Sequence, residues 1–202
     1  MTNYLTIGLD LSLVSPAIVV HDMLLNKWQF ILFAQTKKYT PTTTDDVFVL
    51  PAIPDTAASD QVRYDHIFRH VTHVLTPMLH SAKLRSLCVR PIFEAYAFPS
   101  RFTSGFSYKL HELGGIMKQF FFSHGIAVTS VPSSRWKLLV VGNGHASKLD
   151  VYQFVVKTYP AFEFGKLWSY NKDHPTKGPP HPLEDLCDAV GIVLSSFDQR
   201  GH

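Results

Sequence analysis

The sequence contains little cysteine, little charge and no long apolar run, and each shortage excludes a class of protein. Two cysteines, Cys88 and Cys187, are too few for a disulfide framework or a four-thiolate zinc site. Charged residues make up 17% of the chain and hydrophobic residues 46%, which excludes a disordered protein. No apolar stretch reaches the roughly 18 residues of a membrane span, and the first one contains Asp10, which a secretory leader would not tolerate. We therefore expect a soluble, intracellular protein with one domain over residues 1–202.

The charges are unevenly distributed, although the net charge is only +3. Residues 83–180 hold 13 Lys and Arg against 5 Asp and Glu, whereas residues 181–202 hold 1 against 4. A basic middle beside an acidic segment favours a polyanionic partner that approaches a carboxylate site. The counts alone are also compatible with an ordinary, mildly basic globular protein.

The pattern of apolar residues predicts a mixed α/β fold with a five-stranded sheet flanked by helices. The first three strands are joined by short links, which favours antiparallel neighbours. Asp60 is the expected N-cap of the first helix. The strands are predicted at 4–10, 15–21, 28–35, 87–94 and 126–131. The helices are predicted at 61–82, 106–124, 132–140, 147–159 and 182–197, and long loops at 36–59 and 160–180.

Four acidic residues stand where acids are unusual. Asp10 ends the first predicted strand and Glu94 ends the fourth, each among apolar neighbours, and Asp185 and Asp188 share one face of the last helix. Converging carboxylates repel one another unless a cation neutralises them, and an all-oxygen site favours Mg²⁺ or Mn²⁺. Two such ions ~3.5–4 Å apart can activate a water and stabilise a leaving oxygen in phosphoryl chemistry. A single strand-end Asp is more often a turn cap, but all four together favour a shared site.

Several short motifs stand near the start and middle of the chain. Residues 7–12 (IGLDLS), followed by 15–17 (SPA), resemble the first motif of the RuvC-like Holliday-junction resolvases. Residues 93–98 (FEAYAF) resemble the second motif in the form seen in phage and viral members, and residues 111–115 (HELGG) resemble the helix that follows it.

The resemblance continues towards the end of the chain in the same order. Residues 131–137 (VPSSRWK) and 142–148 (GNGHASK) contain two lysines eleven residues apart, as in the family. Residues 185–189 (DLCDA) resemble its closing motif. The predicted loops at 36–59 and 160–180 have no counterpart in these motifs. The first Asp is followed by Leu-Ser, where bacterial members often have Pro-Gly.

The resemblance implies a ribonuclease-H-like fold and a Mg²⁺-dependent endonuclease that cuts four-way DNA junctions symmetrically. It implies two Mg²⁺ per active site, with Mn²⁺ as a substitute, held by Asp10, Glu94, Asp185 and Asp188. Lys148 is then a catalytic residue that positions the water or the phosphate. The expected contacts with branched DNA are Lys109, Arg135, Lys137 and Asn143, together with Tyr96, Phe98, Arg101 and Phe102, whose aromatic members are candidates for stacking on bases.

The resemblance also implies a homodimer. The helix at 106–124 is the expected interface, because Ile116, Phe120 and Phe122 lie outside the apolar face that one core requires. Paired cuts on opposing strands require two sites related by symmetry.

Three other functions remain open from the sequence. A phosphotransferase of the actin or sugar-kinase type also begins with a strand ending in Asp, but it needs two lobes, for which 202 residues are too few. A ribonuclease H or a flap nuclease would use the same carboxylates. A non-catalytic nucleic-acid-binding module is disfavoured, because an acidic cluster repels DNA when no metal is present.

Overall fold

The strands form a single mixed sheet in the computed structural model, which describes residues 3–34, 46–51, 59–95, 105–159, 162 and 183–197. Within these ranges the sheet has six strands in the order β4-β3-β2-β1-β5-β6. The first three strands pair antiparallel, while β4, β5 and β6 each lie parallel to their neighbour. The strands are β1 Tyr4–Asp10, β2 Ala17–Asp22, β3 Lys27–Ala34, β4 Val47–Pro51, β5 Cys88–Ala95 and β6 Thr129–Pro132.

Helices cover both faces of the sheet, because alternate side chains of each central strand are apolar on both sides. Ile18 and Val20 of β2 pack towards the first two helices, and Ala17 and Val19 pack towards the others. The first pair is α1 Asp60–Leu84 and α2 Gly105–Ser123, and the second group is α3 Ser133–Val141, α4 Lys148–Thr158 and α5 Leu183–Ser195. Every residue of α5 is buried, since this helix packs on the sheet and on α3 and α4.

The predicted mixed α/β class is confirmed, and the number of strands is corrected from five to six. The sixth strand, β4, lies inside the segment 36–59 that the sequence predicts to be a loop. Its apolar run is only four residues long, between Asp46 and Pro51, and it becomes a strand by pairing with the edge of β3. The other residues of that loop between 35 and 58, apart from Asp46, lie outside the described residues, as does the predicted loop 160–180 apart from Phe162.

The start of α1 differs from the prediction by one residue. Ser59 is the N-cap, and its hydroxyl accepts a hydrogen bond from the amide of Val62 at 3.4 Å. Asp60 lies in the first turn, where its carboxylate interacts favourably with the positive end of the helix dipole. Pro77 is accommodated within α1 without ending it. No helix in the described part of the chain is long and apolar enough to cross a membrane.

Candidate active site

Asp10 and Glu94 stand side by side at the carboxyl ends of two parallel strands. Leu9 of β1 is paired with Phe93 of β5, and each acid is the next residue along its strand. Leu9 and Phe93 belong to the core beneath α1 and α2. Because successive side chains alternate between the faces of a strand, both carboxylates point to the opposite face, which α5 covers.

Gly8 allows α5 to cross β1 at very short distance. A Cβ atom on Gly8 would lie 2.5 Å from the carbonyl oxygen of Ala189 and 2.8 Å from Cγ2 of Val193, so no larger residue fits. Asp188 immediately precedes Ala189, and Asp10 follows Gly8 by two residues on the same face of β1. The close approach of helix and strand therefore brings the acids of α5 towards the end of β1.

Asp10 and Asp188 interact electrostatically with the other acids of this cluster. Burial raises the pKa of Asp10 well above its usual value, and the charges of Asp188, Glu94 and Asp185 raise it further. Burial and then the charge of Glu94 raise the pKa of Asp188 to about 7. Lys148 opposes the upward shift of the pKa in both residues, and Lys137 opposes it more strongly in Asp188. Burial and the neighbouring acids together therefore favour the protonated forms of Asp10 and Asp188.

Glu94 is supported by groups on α3. Burial raises its pKa, while a hydrogen bond with Ser133 and the charge of Lys137 act in the opposite direction. Ser133 begins α3 directly after β6. The strand-to-helix connection therefore supplies the groups that hold the Glu94 carboxylate.

Asp185 has a partner that the sequence did not predict. Its Oδ2 accepts a hydrogen bond from the hydroxyl of Ser15, and both side chains are buried. Ser15 lies in the turn between β1 and β2, so this contact ties the start of α5 to the segment that follows Asp10. The sequence gives one indication that Ser15 belongs to the site, namely its position within 15–17 (SPA). That motif does not predict the hydrogen bond of its hydroxyl with Asp185.

The two lysines of the basic segment lie beside the carboxylate cluster. Lys148 is the first residue of α4, which begins with a capping box formed by Ser147 and Asp150. Lys148 forms an ion pair with Glu184 of α5. Lys137 lies on α3, and its Nζ is 5.5 Å from the centroid of the Trp136 ring. The structure therefore brings both predicted lysines to the site and adds Glu184, which the sequence reasoning missed.

The other predicted DNA contacts fall into three groups. Arg135 on α3 and Asn143 in the turn after it are exposed. Lys109 on α2 forms an ion pair with Asp60 of α1 at 2.9 Å. The remaining four candidates lie outside the described residues: Tyr96, Phe98, Arg101 and Phe102.

The oxygen donors of the cluster are suited to a hard divalent cation such as Mg²⁺. A cation would stabilise the charged forms of Asp10 and Asp188, whose pKa values are raised first by burial and then by the neighbouring acids. Among the described residues, however, no three His, Cys, Asp or Glu side chains are placed so that they could by themselves hold a metal ion. Such an open arrangement fits an ion that is held by one or two carboxylates and completed by water and substrate phosphate. The four-carboxylate ligand set stays a prediction.

A separate cleft of about 690 Å³ opens on the other face of the sheet, between α1 and the strands β3 and β4. Its lining includes the ion pair of Asp22 and Arg85, in which the two charged atoms are 2.5 Å apart. None of the predicted site residues lines it. The chemistry of the carboxylates and lysines, and not the size of a cavity, singles out the candidate active site.

No family model and no curated protein matches this chain. Several solved structures do match this chain, at low sequence identity. RuvC of Thermus thermophilus is 19% identical, with a TM-score of 0.55 over 97% of this chain and 95% of that one. The same protein in complex with a Holliday junction substrate is 17% identical, with a TM-score of 0.57 over 98% and 95%. The yeast mitochondrial Holliday junction resolvase Ydc2 is 12% identical, with a TM-score of 0.50 over 96% and 78%.

Proposed function

We propose that this chain is a Mg²⁺-dependent endonuclease that resolves four-way DNA junctions by paired, symmetric hydrolysis of phosphodiester bonds. The chain has the ribonuclease-H-like fold of RuvC over nearly its whole length. The observation that carries the proposal is the arrangement of Asp10, Glu94 and Asp188. These acids lie beside Lys137 and Lys148 at the carboxyl ends of β1 and β5. Carboxylates that repel one another next to lysines suit a site that binds cations together with phosphate.

In this proposal Asp10, Glu94, Asp185 and Asp188 supply the ligands of the metal ions, one or two carboxylates to each ion, and water and DNA phosphate would complete the coordination. When bound, Mg²⁺ or Mn²⁺ supplies charge stabilisation and an activated water for phosphoryl transfer. The protein's own contribution is to keep the four carboxylates on a rigid strand–strand–helix scaffold. The Ser15 hydroxyl orients Asp185, and Ser133 orients Glu94, so that both keep their place when DNA enters.

Lys148 and Lys137 have different proposed roles. The charges of both lysines act on Glu94 and Asp188, but that of Lys148 also acts on Asp10, and we assign Lys148 to the scissile phosphate or the attacking water. Lys137 lies along α3 with Arg135, and Asn143 follows at the end of the same helix. We propose that each of these three residues contacts the phosphate backbone, with Arg135 and Lys137 reaching it from different sides of α3, because residues two apart on a helix do not share a face.

The aromatic residues proposed to stack on junction bases are Tyr96, Phe98 and Phe102, and this role stays a prediction. Arg101 remains a proposed phosphate contact. Lys109 is less suited to DNA than the others, because its ammonium is already paired with Asp60. Lys109 would contact DNA only if a phosphate displaced Asp60 from its ammonium.

We also propose a two-fold homodimer through α2, with each chain forming one nuclease domain over residues 1–202. Ile116 is 37% and Phe122 54% exposed on this helix. Phe120, which the sequence placed on the same interface, is instead buried against Phe68 and Phe121 within the chain. The proposed interface is therefore built on Ile116 and Phe122.

A panel of synthetic DNAs tests the function directly. Four-way junction, three-way junction, flap, RNA–DNA hybrid and linear duplex are incubated with the protein and Mg²⁺, and the cut positions are mapped on denaturing gels. We expect paired cuts at symmetric positions in the four-way junction and little cutting of the duplex. Preferential cutting of the hybrid would indicate a ribonuclease H, and junction binding without cutting would indicate a non-catalytic module.

A further inference from the structure

Glu184 is a buried acid for which the proposed metal and DNA contacts give no role. It lies in the first turn of α5 and is 9% exposed. A carboxylate removed from water is costly unless a partner compensates for its charge. Here the partner is Lys148, whose side chain is 51% exposed. The pair therefore joins a fixed acid to a lysine that would otherwise extend freely into solvent.

The position of Glu184 places this pair at the border of the carboxylate cluster. Glu184 precedes Asp185 directly and precedes Asp188 by four residues, so that Glu184 and Asp188 lie on the same side of α5. Lys148 enters from the N-terminus of α4, which the capping box of Ser147 and Asp150 holds in place. Both ends of the Lys148 side chain are thereby anchored: its backbone by the cap and its ammonium by Glu184.

We infer that Glu184 is a positioning residue that fixes the Lys148 ammonium at the mouth of the carboxylate cluster, where the phosphate of bound DNA arrives. The inference rests on the proposed nuclease function. A lysine side chain has four rotatable bonds, and only a small part of its conformations would place its charge at this point. Glu184 restricts Lys148 to those conformations before the DNA binds. A preorganised site of this kind does not have to rearrange during the reaction.

A purely structural role for the pair predicts a different outcome. If Glu184 only attached α4 to α5, its loss would lower stability and leave the turnover of folded protein unchanged. If Glu184 acts through Lys148, its loss lowers turnover and has no further effect once Lys148 is gone. The two roles are therefore separated by a double-mutant cycle on cleavage.

The experiment measures junction cleavage with Mg²⁺ and junction affinity without divalent metal for Glu184→Gln, Lys148→Ala and the double variant. We expect Glu184→Gln to lower kcat roughly 10–100-fold, as is typical for partners that orient a catalytic group, with little change in KM. Affinity without metal should stay the same or increase, because a negative charge near the phosphate is removed. The double variant should cleave no more slowly than Lys148→Ala alone.

Two further variants keep the test decisive. Glu184→Asp keeps the charge but shortens the side chain, and it should recover part of the activity that Glu184→Gln loses. If Glu184→Gln fails to fold by thermal melting, Glu184→Asp and Lys148→Ala still provide the comparison. Asp65→Asn is the matched control, since Asp65 is an exposed acid paired with Arg69 on α1, and its cleavage should equal that of the wild type.

Each outcome supports or overturns the inference. Wild-type kcat in Glu184→Gln, or an equal loss in the Lys148→Ala background, overturns the positioning role and leaves the proposed nuclease intact. Weaker metal-free binding by Glu184→Gln, in step with its loss of cleavage, would show a role in DNA affinity and also overturn it. A wild-type protein that cuts no DNA of the panel overturns both the function and this inference.

Discussion

Gly8 of β1 and Ala189 of α5 are in direct backbone contact: a Cβ atom on Gly8 would lie 2.5 Å from the Ala189 carbonyl oxygen. This contact sets the separation between the strand that ends in Asp10 and the helix that carries Asp188. Since helix and strand are both rigid, the two acids keep their relation only as long as residue 8 has no side chain.

We expect Gly8→Ala to destabilise the protein by about 1–3 kcal/mol, because the added methyl group overpacks a rigid backbone contact. It should also lower cleavage by displacing Asp188 from Asp10. Urea unfolding followed by circular dichroism measures the first effect and the junction assay the second. Gly115→Ala in α2 is the control, compared in the Ile116→Asp and Phe122→Asp background in which the proposed interface is removed: no atom of the same chain lies within 4 Å of its added Cβ, so stability should rise by up to about 1 kcal/mol. Equal effects of the two glycine substitutions on stability would show that α5 does not pack on Gly8 as described.

Asp10→Asn, Glu94→Gln and Asp188→Asn should each abolish cleavage and leave junction binding intact. The reason is that the carboxylates serve the metal while the lysines serve the DNA. A loss of more than about 100-fold is expected, since even partners outside the ligand shell contribute 10–100-fold. Gel shift in Ca²⁺ measures binding, and nicking in Mg²⁺ measures cleavage. A variant that nicks near the wild-type rate removes its residue from the active site.

The metal-free protein should lose stability as the pH rises from about 4 to about 7, through the titration of Asp188. The folded state holds the pKa of Asp188 at about 7, above the ordinary value of 3.8, so in this range the folded state binds more protons than the unfolded state. Stability from this group is therefore present below pH 4 and lost as the pH passes 7. The loss is at most about 4 kcal/mol, from 1.36 kcal/mol for each unit of pKa.

Asp188→Asn removes this titration and also reduces the upward shift of the Asp10 pKa, to which the charge of Asp188 contributes, so both changes lessen the loss of stability at high pH. Thermal melts of the wild type and the variant, recorded from pH 4 to pH 8 in EDTA, should diverge steadily, with the variant gaining at high pH. Parallel curves would show that Asp188 titrates normally in the folded protein.

Lys148→Ala should reduce cleavage much more than affinity, whereas Lys137→Ala should reduce both. Lys137 is placed on α3 as a phosphate contact, so its loss should lower the slope of log affinity against log salt concentration by about 1. Fluorescence anisotropy of a labelled junction at several salt concentrations measures this slope. If Lys148→Ala weakens binding in proportion to its loss of cleavage, Lys148 anchors phosphate and has no separate catalytic role.

Ile116→Asp combined with Phe122→Asp should convert the proposed dimer into a monomer and abolish paired cutting, because charge would enter the centre of the interface. Light scattering at micromolar concentration measures the mass. Leu84→Asp is the control, since Leu84 is a highly exposed apolar residue on α1, outside the proposed interface. A wild-type monomer, with and without junction, contradicts the dimer, and an unaffected dimer in the double variant places the interface elsewhere.

Most of the fold could be predicted from the sequence because its signals are local. The continuous apolar run of β2 and the helical spacing of apolar residues in α1 are properties of short segments, and both elements lie within a few residues of their predicted bounds. β4 could not be predicted in this way. Its apolar residues are too few to indicate a strand alone, and they form one only because the edge of β3 offers backbone partners.

The four acids could also be selected from the sequence, since Asp10 and Glu94 end apolar strands and Asp185 and Asp188 share a helical face. Only the tertiary structure shows that Ser15 serves Asp185, that Lys148 is held by Glu184 and that Phe120 faces the core. These contacts join segments far apart in the chain, in one case by 170 residues. Local sequence determines which way a side chain points along its own helix or strand. What it meets there depends on how the helices and strands pack together, which no short segment encodes.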